Sequence, residues 1–267
     1  MKSPGAYATT LLFAAVVAFP LSARAQDDPR LRRPSEYRVN AAYQFYYFDN
    51  DLDPWHYVSA WVERRERNYS LLGRVNYAHR FKTSAVQFEL DAYPLFSPKY
   101  YAYFNIGYSS SATSFPEWRL GGELYANLPG AWEASGGFRY LTFATAEVRM
   151  LSGSVGKYYG NYWTSLRPTA AFDDGEVSYS LLLITRRYFA DADNFVGGLI
   201  VYGNAPDERI SAVELDRLSN FQISISGKHP MGPALSWLWG LSFQREELRE
   251  SRFRNRIGFA FGFESRI

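Results

Sequence analysis

From residue 37 onward, apolar and polar side chains alternate in runs of about ten residues, and each run ends at a turn signal. The last run, Arg252 to Phe263, shows it most clearly. Phe253, Ile257, Phe259, Phe261 and Phe263 fall on one face, with Asn255 the one interruption. Arg252, Arg254, Arg256, Gly258, Ala260 and Gly262 fall on the other. Successive side chains of a strand leave opposite faces, so a period of two predicts strands with one apolar and one polar face. No helical pattern is available to cover the apolar faces, and that predicts a sheet closed on itself in lipid.

The runs predict about fourteen strands: 37–48, 56–66, 69–81, 84–95, 100–110, 117–128, 132–143, 146–159, 161–172, 175–189, 194–204, 216–228, 234–246 and 252–263. Twelve or sixteen are the alternatives if a pair has been split or fused. The fold expected is all-β, a transmembrane up-and-down antiparallel β-barrel. Tyr37, Val39, Ala41, Tyr43, Phe45 and Tyr47 of the first run should face lipid, opposite Arg38, Asn40 and Gln44. The fourth run reverses parity, with Val86, Phe88 and Leu90 outward against Gln87, Glu89 and Asp91. The longest connections, around 50–54, 111–116 and 205–215, are the first, fifth and eleventh. Their odd parity predicts that they share one side of the membrane, with both termini on the other, periplasmic side.

Ahead of the strands, Thr10 to Leu21 is mostly apolar and Ala23-Arg24-Ala25 has the small-x-small form of a cleavage site. Residues 1–25 are expected to be a signal peptide, 26–36 a short periplasmic lead-in, and 37–267 the barrel. Removing the signal takes Lys2 and Arg24 with it and leaves basic and acidic residues equal in number. The pI near 8.6 therefore argues for neither nucleic acid nor anionic lipid as a partner. Aromatic residues make up 18% of the chain while its mean hydropathy is negative. A polar lumen inside an apolar band flanked by aromatic girdles gives that combination. The absence of cysteine excludes disulfides and thiol chemistry.

The chain resembles the YaiO-type outer-membrane β-barrel family. The residues that carry the resemblance are Gly136-Gly137-Phe138-Arg139-Tyr140, Gly156-Lys157-Tyr158-Tyr159-Gly160-Asn161-Tyr162, and Arg186-Arg187-Tyr188-Phe189 followed by Asp191-Ala192-Asp193-Asn194-Phe195. Gly203 with Pro206-Asp207 fits the same region. The resemblance implies an outer-membrane barrel with no agreed activity, some members being tied to surface-polysaccharide export. The terminal run also resembles the signal read by the barrel-assembly machinery, through Arg256, Gly258, Phe261 and Phe263, although four residues follow the last aromatic.

Candidate chemistry lies on the inward faces. Arg38, Arg74, Glu89, Asp91, Arg119, Glu123, Arg139, Arg186, Arg252, Arg254 and Arg256 are the lumen and selectivity candidates. Arg74 is expected opposite Asp91 in a tight hairpin. The mixed signs fit either an ion-pair lattice that stiffens the wall or a constriction that selects solutes. The leading expectation is a passive, porin-like conduit for small polar or anionic solutes or saccharides, with Arg252, Arg254 and Arg256 setting an anion bias. One alternative is a structural barrel linked to polysaccharide export that docks a partner, best through residues 206–215. The other is a lipid-modifying enzyme, for which only His79 and Ser84 would meet across a hairpin. No enzyme activity, cofactor, metal or nucleic-acid partner is expected. Outer-membrane lipid and the assembly machinery are.

Overall fold

The computed structural model describes residues 35–267 except 50, 51, 81, 112, 113, 145, 174, 190, 206–218 and 249–251. The expected signal peptide and the expected docking segment lie outside those residues. Fourteen strands form one closed barrel in which each pairs antiparallel with its neighbours in sequence. They are β1 (Glu36–Phe48), β2 (Trp55–Arg65), β3 (Tyr69–Arg80), β4 (Thr83–Pro94), β5 (Tyr100–Tyr108), β6 (Trp118–Leu128) and β7 (Trp132–Thr142). The second half continues with β8 (Glu147–Tyr159), β9 (Tyr162–Asp173), β10 (Glu176–Tyr188), β11 (Phe195–Gly203), β12 (Ser219–Pro230), β13 (Leu235–Leu248) and β14 (Arg252–Arg266). The seam is the β1–β14 pair, running from Arg38 opposite Arg266 to Phe48 opposite Arg256. Closure leaves no unpaired strand edge, which a lipid environment demands because water is not there to satisfy backbone groups.

Alternation puts the apolar set outside. Phe253, Ile257, Phe259, Phe261 and Phe263 are exposed, while Arg254 and Arg256 between them are buried. In a soluble protein so many exposed large apolar side chains would be a liability, and here they form the surface that meets acyl chains. Outward rings gather at the two ends of the wall. Tyr37, Tyr69, Tyr100, Trp132 and Tyr162 mark the end carrying the chain termini, and Tyr47, Tyr77, Tyr108, Phe172 and Tyr202 mark the far end. Ten residues separate Tyr37 from Tyr47 on β1, which at ~3.3 Å per residue and a tilt near 40° is a height of about 25 Å, the apolar band of an outer-membrane barrel. Among the described residues no helix is long and apolar enough to cross a membrane.

Two expectations need correction. The β3–β4 register places Arg74 opposite Glu89 and gives Asp91 to Leu72, because the turn closes one step tighter than the sequence pattern implied. The connection 189–194 is also as long as 49–54, although its parity is even. That segment folds back over the barrel end, as described next.

Candidate functional site

Fourteen strands leave a lumen between the filled interior of small barrels and the open channel of large ones, so the inward side chains decide how much space remains. On the β3–β7 wall they are long and charged. Arg74 Nη1 donates to Glu89 at 2.7 Å and its Nη2 to Asp91 at 2.8 Å, while Arg119 Nη1 reaches the other Glu89 oxygen at 2.8 Å. Asn76 and Asn105 supply further donors to Glu89 and Asp91. Across the next strands Glu123 accepts from Arg167 at 2.9 Å and from Ser135, and Arg139 lies 3.8 Å away. The Arg139 guanidinium sits 5.7 Å from the Tyr103 ring centroid. Breaking one member of such a buried pair leaves an uncompensated charge, so each cluster holds its strands in one register.

The β11–β14 wall is built differently. Its mid-height inward positions are Gly197, Leu199, Ser224, Ser226, Gly240, Ser242, Gly258 and Ala260, all but one of them small, and they line a cavity with about 500 Å³ of empty space, counting its open side. Gly258 is required there. A Cβ at this position would lie 2.3 Å from Ser242 Oγ and 2.7 Å from the Tyr46 ring.

Each end of the lumen carries its own cluster. At the terminal end, Asp193 turns in from the connection 189–194 and accepts from Arg38 at 2.8 and 3.1 Å, from Lys228 at 2.8 Å, and from Arg266. Glu264 bridges Arg38 and Lys228 at 3.0 and 2.6 Å. Burial works against the Asp193 carboxylate, but the hydrogen bonds from Arg38 and the charge of Lys228 outweigh it and hold its pKa far below the usual range. At the far end, Phe115 of the fifth connection packs edge-on to Tyr57 within a cluster of Tyr46, Phe48, Trp55 and Tyr57. Arg80 donates to the Ser114 carbonyl and lies over Trp55 and Tyr57.

The sequence candidates sort accordingly. Arg38 belongs to the terminal-end cluster, and Arg74, Glu89, Asp91, Arg119, Glu123 and Arg139 to the charged wall. Arg186 lies over the rings of Trp163 and Phe195 at 5.4 and 5.0 Å. The Arg252 side chain lies outside the described residues. Arg254 donates through Nε to Glu246 at 3.0 Å, and Arg256 donates to Gln244. Of the expected assembly-signal residues, Arg256 and Gly258 face the lumen, while Phe261 and Phe263 face out with rings 4.8 Å apart. Among buried charged side chains of the described residues, nine are basic and eight acidic, so the lumen is close to neutral rather than strongly cationic. Asp193, Lys228, Glu246 and Glu264 were not among the sequence candidates. The last three sit at inward strand positions that parity would have given, whereas Asp193 lies in a turn that parity does not reach.

His79 Nδ1 and Ser84 Oγ do meet, at 2.9 Å, and Tyr77 OH lies 3.0 Å from the same Oγ. The group is on the outer face beside His56 and Tyr43, within the far-end girdle. No carboxylate hydrogen-bonds His79 among the described residues, and no group of three metal-ligating side chains occurs among them.

A family model described as the YaiO membrane beta barrel domain matches residues 36–208. No curated protein matches the chain in sequence. Among solved structures, one titled as the CymD monoaromatic hydrocarbon channel superposes with a TM-score of 0.57 at 7% identity, covering 90% of this chain and 91% of its own. A bacterial polysaccharide outer membrane secretin gives 0.54 at 8%, covering 87% and 98%. The outer membrane protein Omp33 of Acinetobacter baumannii gives 0.52 at 13%, covering 87% and 99%. At these identities the likeness is one of fold.

Proposed function

The chain belongs to the YaiO membrane β-barrel family and shares its fold with outer-membrane proteins, one of them titled a channel, and from that premise we propose that it is a narrow passive conduit for small polar solutes. The observation that carries this reading is the unequal lumen. The β3–β7 wall is filled by paired charges, and the β11–β14 wall, Leu199 apart, is kept small by glycine, alanine and serine around a cavity. A barrel selected only for rigidity would gain by filling that space, since an unfilled interior forfeits packing energy. Serine hydroxyls and ion-paired arginines favour hydrated and hydroxylated solutes over hydrocarbons. The anion bias rests on Arg256, because Glu246 neutralises Arg254.

Refolded protein in planar bilayers and in liposome-swelling assays tests the reading. Small, discrete currents and uptake limited to small solutes are expected, and an electrically silent barrel contradicts it. A second reading, a structural barrel of the polysaccharide-export apparatus, is favoured by the burial of the charged lattice and predicts that silence. The enzyme reading has less support. Among the described residues no carboxylate orients the His79 of its His79–Ser84 pair as a catalytic base would need.

A further inference from the structure

The far end of the lumen holds more hydrogen-bond donors than acceptors. Gln222, Gln244 and Arg256 stand in one row across β12, β13 and β14, each opposite the next, and Asn220 and Glu246 face each other in the adjoining row. All five are buried, with Asn220, Gln222 and Arg256 each 1% exposed. The acceptors of Asn220, Gln244 and Glu246 are already in use. Glu246 takes Arg254 on one oxygen and Gln244 on the other, Gln244 Nε2 also donates to Asn220 Oδ1 at 2.6 Å, and Gln244 Oε1 takes Arg256. What remains is weighted to donors. Asn220 Nδ2, Gln222 Nε2 and both Nε and Nη1 of Arg256 have no hydrogen-bond partner.

A buried cation without a counter-charge costs several kcal/mol, and each unmet buried donor adds its own desolvation penalty, so an acceptor entering the cluster is bound favourably. The guanidinium lies 4.8 Å from the centroid of Tyr46, and Tyr46 with neighbouring Gly258 lines the cavity. Arg256 and Gln222 therefore stand one inward position beyond Gly258 and Ser224 of the cavity wall, which also carries the hydroxyls of Ser226 and Ser242. We infer that Arg256, Gln222 and Asn220 form an anion-binding site for a small polyhydroxylated carboxylate, such as a uronic acid, whose hydroxylated body lies along the serine wall. The carboxylate supplies the missing acceptors. The serines and the Tyr46 ring take the sugar. The inference rests on the conduit reading only for how the solute arrives.

Calorimetric titration of the full refolded protein in detergent with glucuronate, glucose and inorganic phosphate tests the site without a membrane current. Saturable glucuronate binding is expected, with glucose and phosphate each at least tenfold weaker. Arg256→Gln should abolish the binding. Because Arg256 also belongs to the terminal strand read in assembly, Gln222→Glu provides the second variant. It places a carboxylate of the chain's own in the same inward row as the guanidinium and should remove glucuronate binding while raising the melting temperature. Fold is checked by heat-modifiable mobility. No glucuronate binding in the wild type, or unchanged binding in Gln222→Glu, overturns the site. Phosphate binding as tightly as glucuronate overturns the sugar assignment. Binding without conductance refutes the conduit and leaves the site standing, and conductance without binding does the reverse.

Discussion

The β3–β7 and β11–β14 walls face each other across one lumen and treat the burial of polar surface in opposite ways. The first buries long charged side chains and satisfies them in pairs, with Glu89 shared between Arg74 and Arg119. The second removes the side chain where it can, through Gly197, Gly240 and Gly258, and leaves hydroxyls where it cannot. Lost interactions on the paired wall therefore register as lost stability, because a buried charge is left alone. Added atoms on the small wall register as lost space. One barrel thus separates what holds the strands in register from what leaves room for a solute.

The comparison breaks most severely at Glu89. Glu89→Gln keeps the shape but leaves two buried guanidiniums without their shared counter-charge, and is expected to cost about 3–5 kcal/mol in urea unfolding from lipid vesicles. Asp193→Asn comes next, at about 3 kcal/mol, and should also enlarge the current by loosening the terminal-end cluster. Its pH dependence has a definite sign. The folded carboxylate is held below its unfolded value, so the Asp193 contribution is complete at neutral pH and is lost only as pH falls below about 4, through the depressed folded pKa. Melting curves of Asp193→Asn and wild type should accordingly converge in strong acid and stay apart at pH 7.

On the small wall, Gly258→Val is expected to cost about 1–3 kcal/mol through its clash with Tyr46 and Ser242, and to close the cavity. Its conductance loss should exceed that of Glu89→Gln relative to the stability lost, which is the sharpest contrast between the walls. The smallest equilibrium effect belongs to Phe261→Leu on the outer face, which keeps an apolar side chain in lipid. It should lower the yield of assembled barrel in cells while leaving the unfolding midpoint of assembled protein nearly unchanged.

Much of this was legible in the sequence, for a physical reason. A strand in lipid must alternate, and every predicted run lies within three residues of an observed strand. Parity gave the inward positions of Arg38, Arg74, Arg119, Arg139, Arg186, Arg254 and Arg256, all of them buried. It did not give their partners, because register depends on the turn. Arg74 was assigned Asp91 as its opposite and faces Glu89, reaching Asp91 diagonally. The three terminal-strand arginines looked like a common anion filter, yet Arg254 is neutralised by Glu246 and Arg256 is bound to an amide. The small wall was written in plain view, with Ser224 and Ser226 around Ile225, and Gly240 and Ser242 around Leu241. Recognising it as one patch required knowing that β12, β13 and β14 stack their small residues at one height.

Ser224 stands opposite Ser242 on that wall, and both line the cavity, so the pair offers the most direct test of whether it is the passage. Single-channel recordings should compare wild type with the Ser224→Leu, Ser242→Leu double variant, each confirmed as folded by heat-modifiable mobility. The account predicts small discrete currents in the wild type and their loss in the double variant, with melting temperature little changed. Unaltered currents in the double variant would place the passage elsewhere and contradict it.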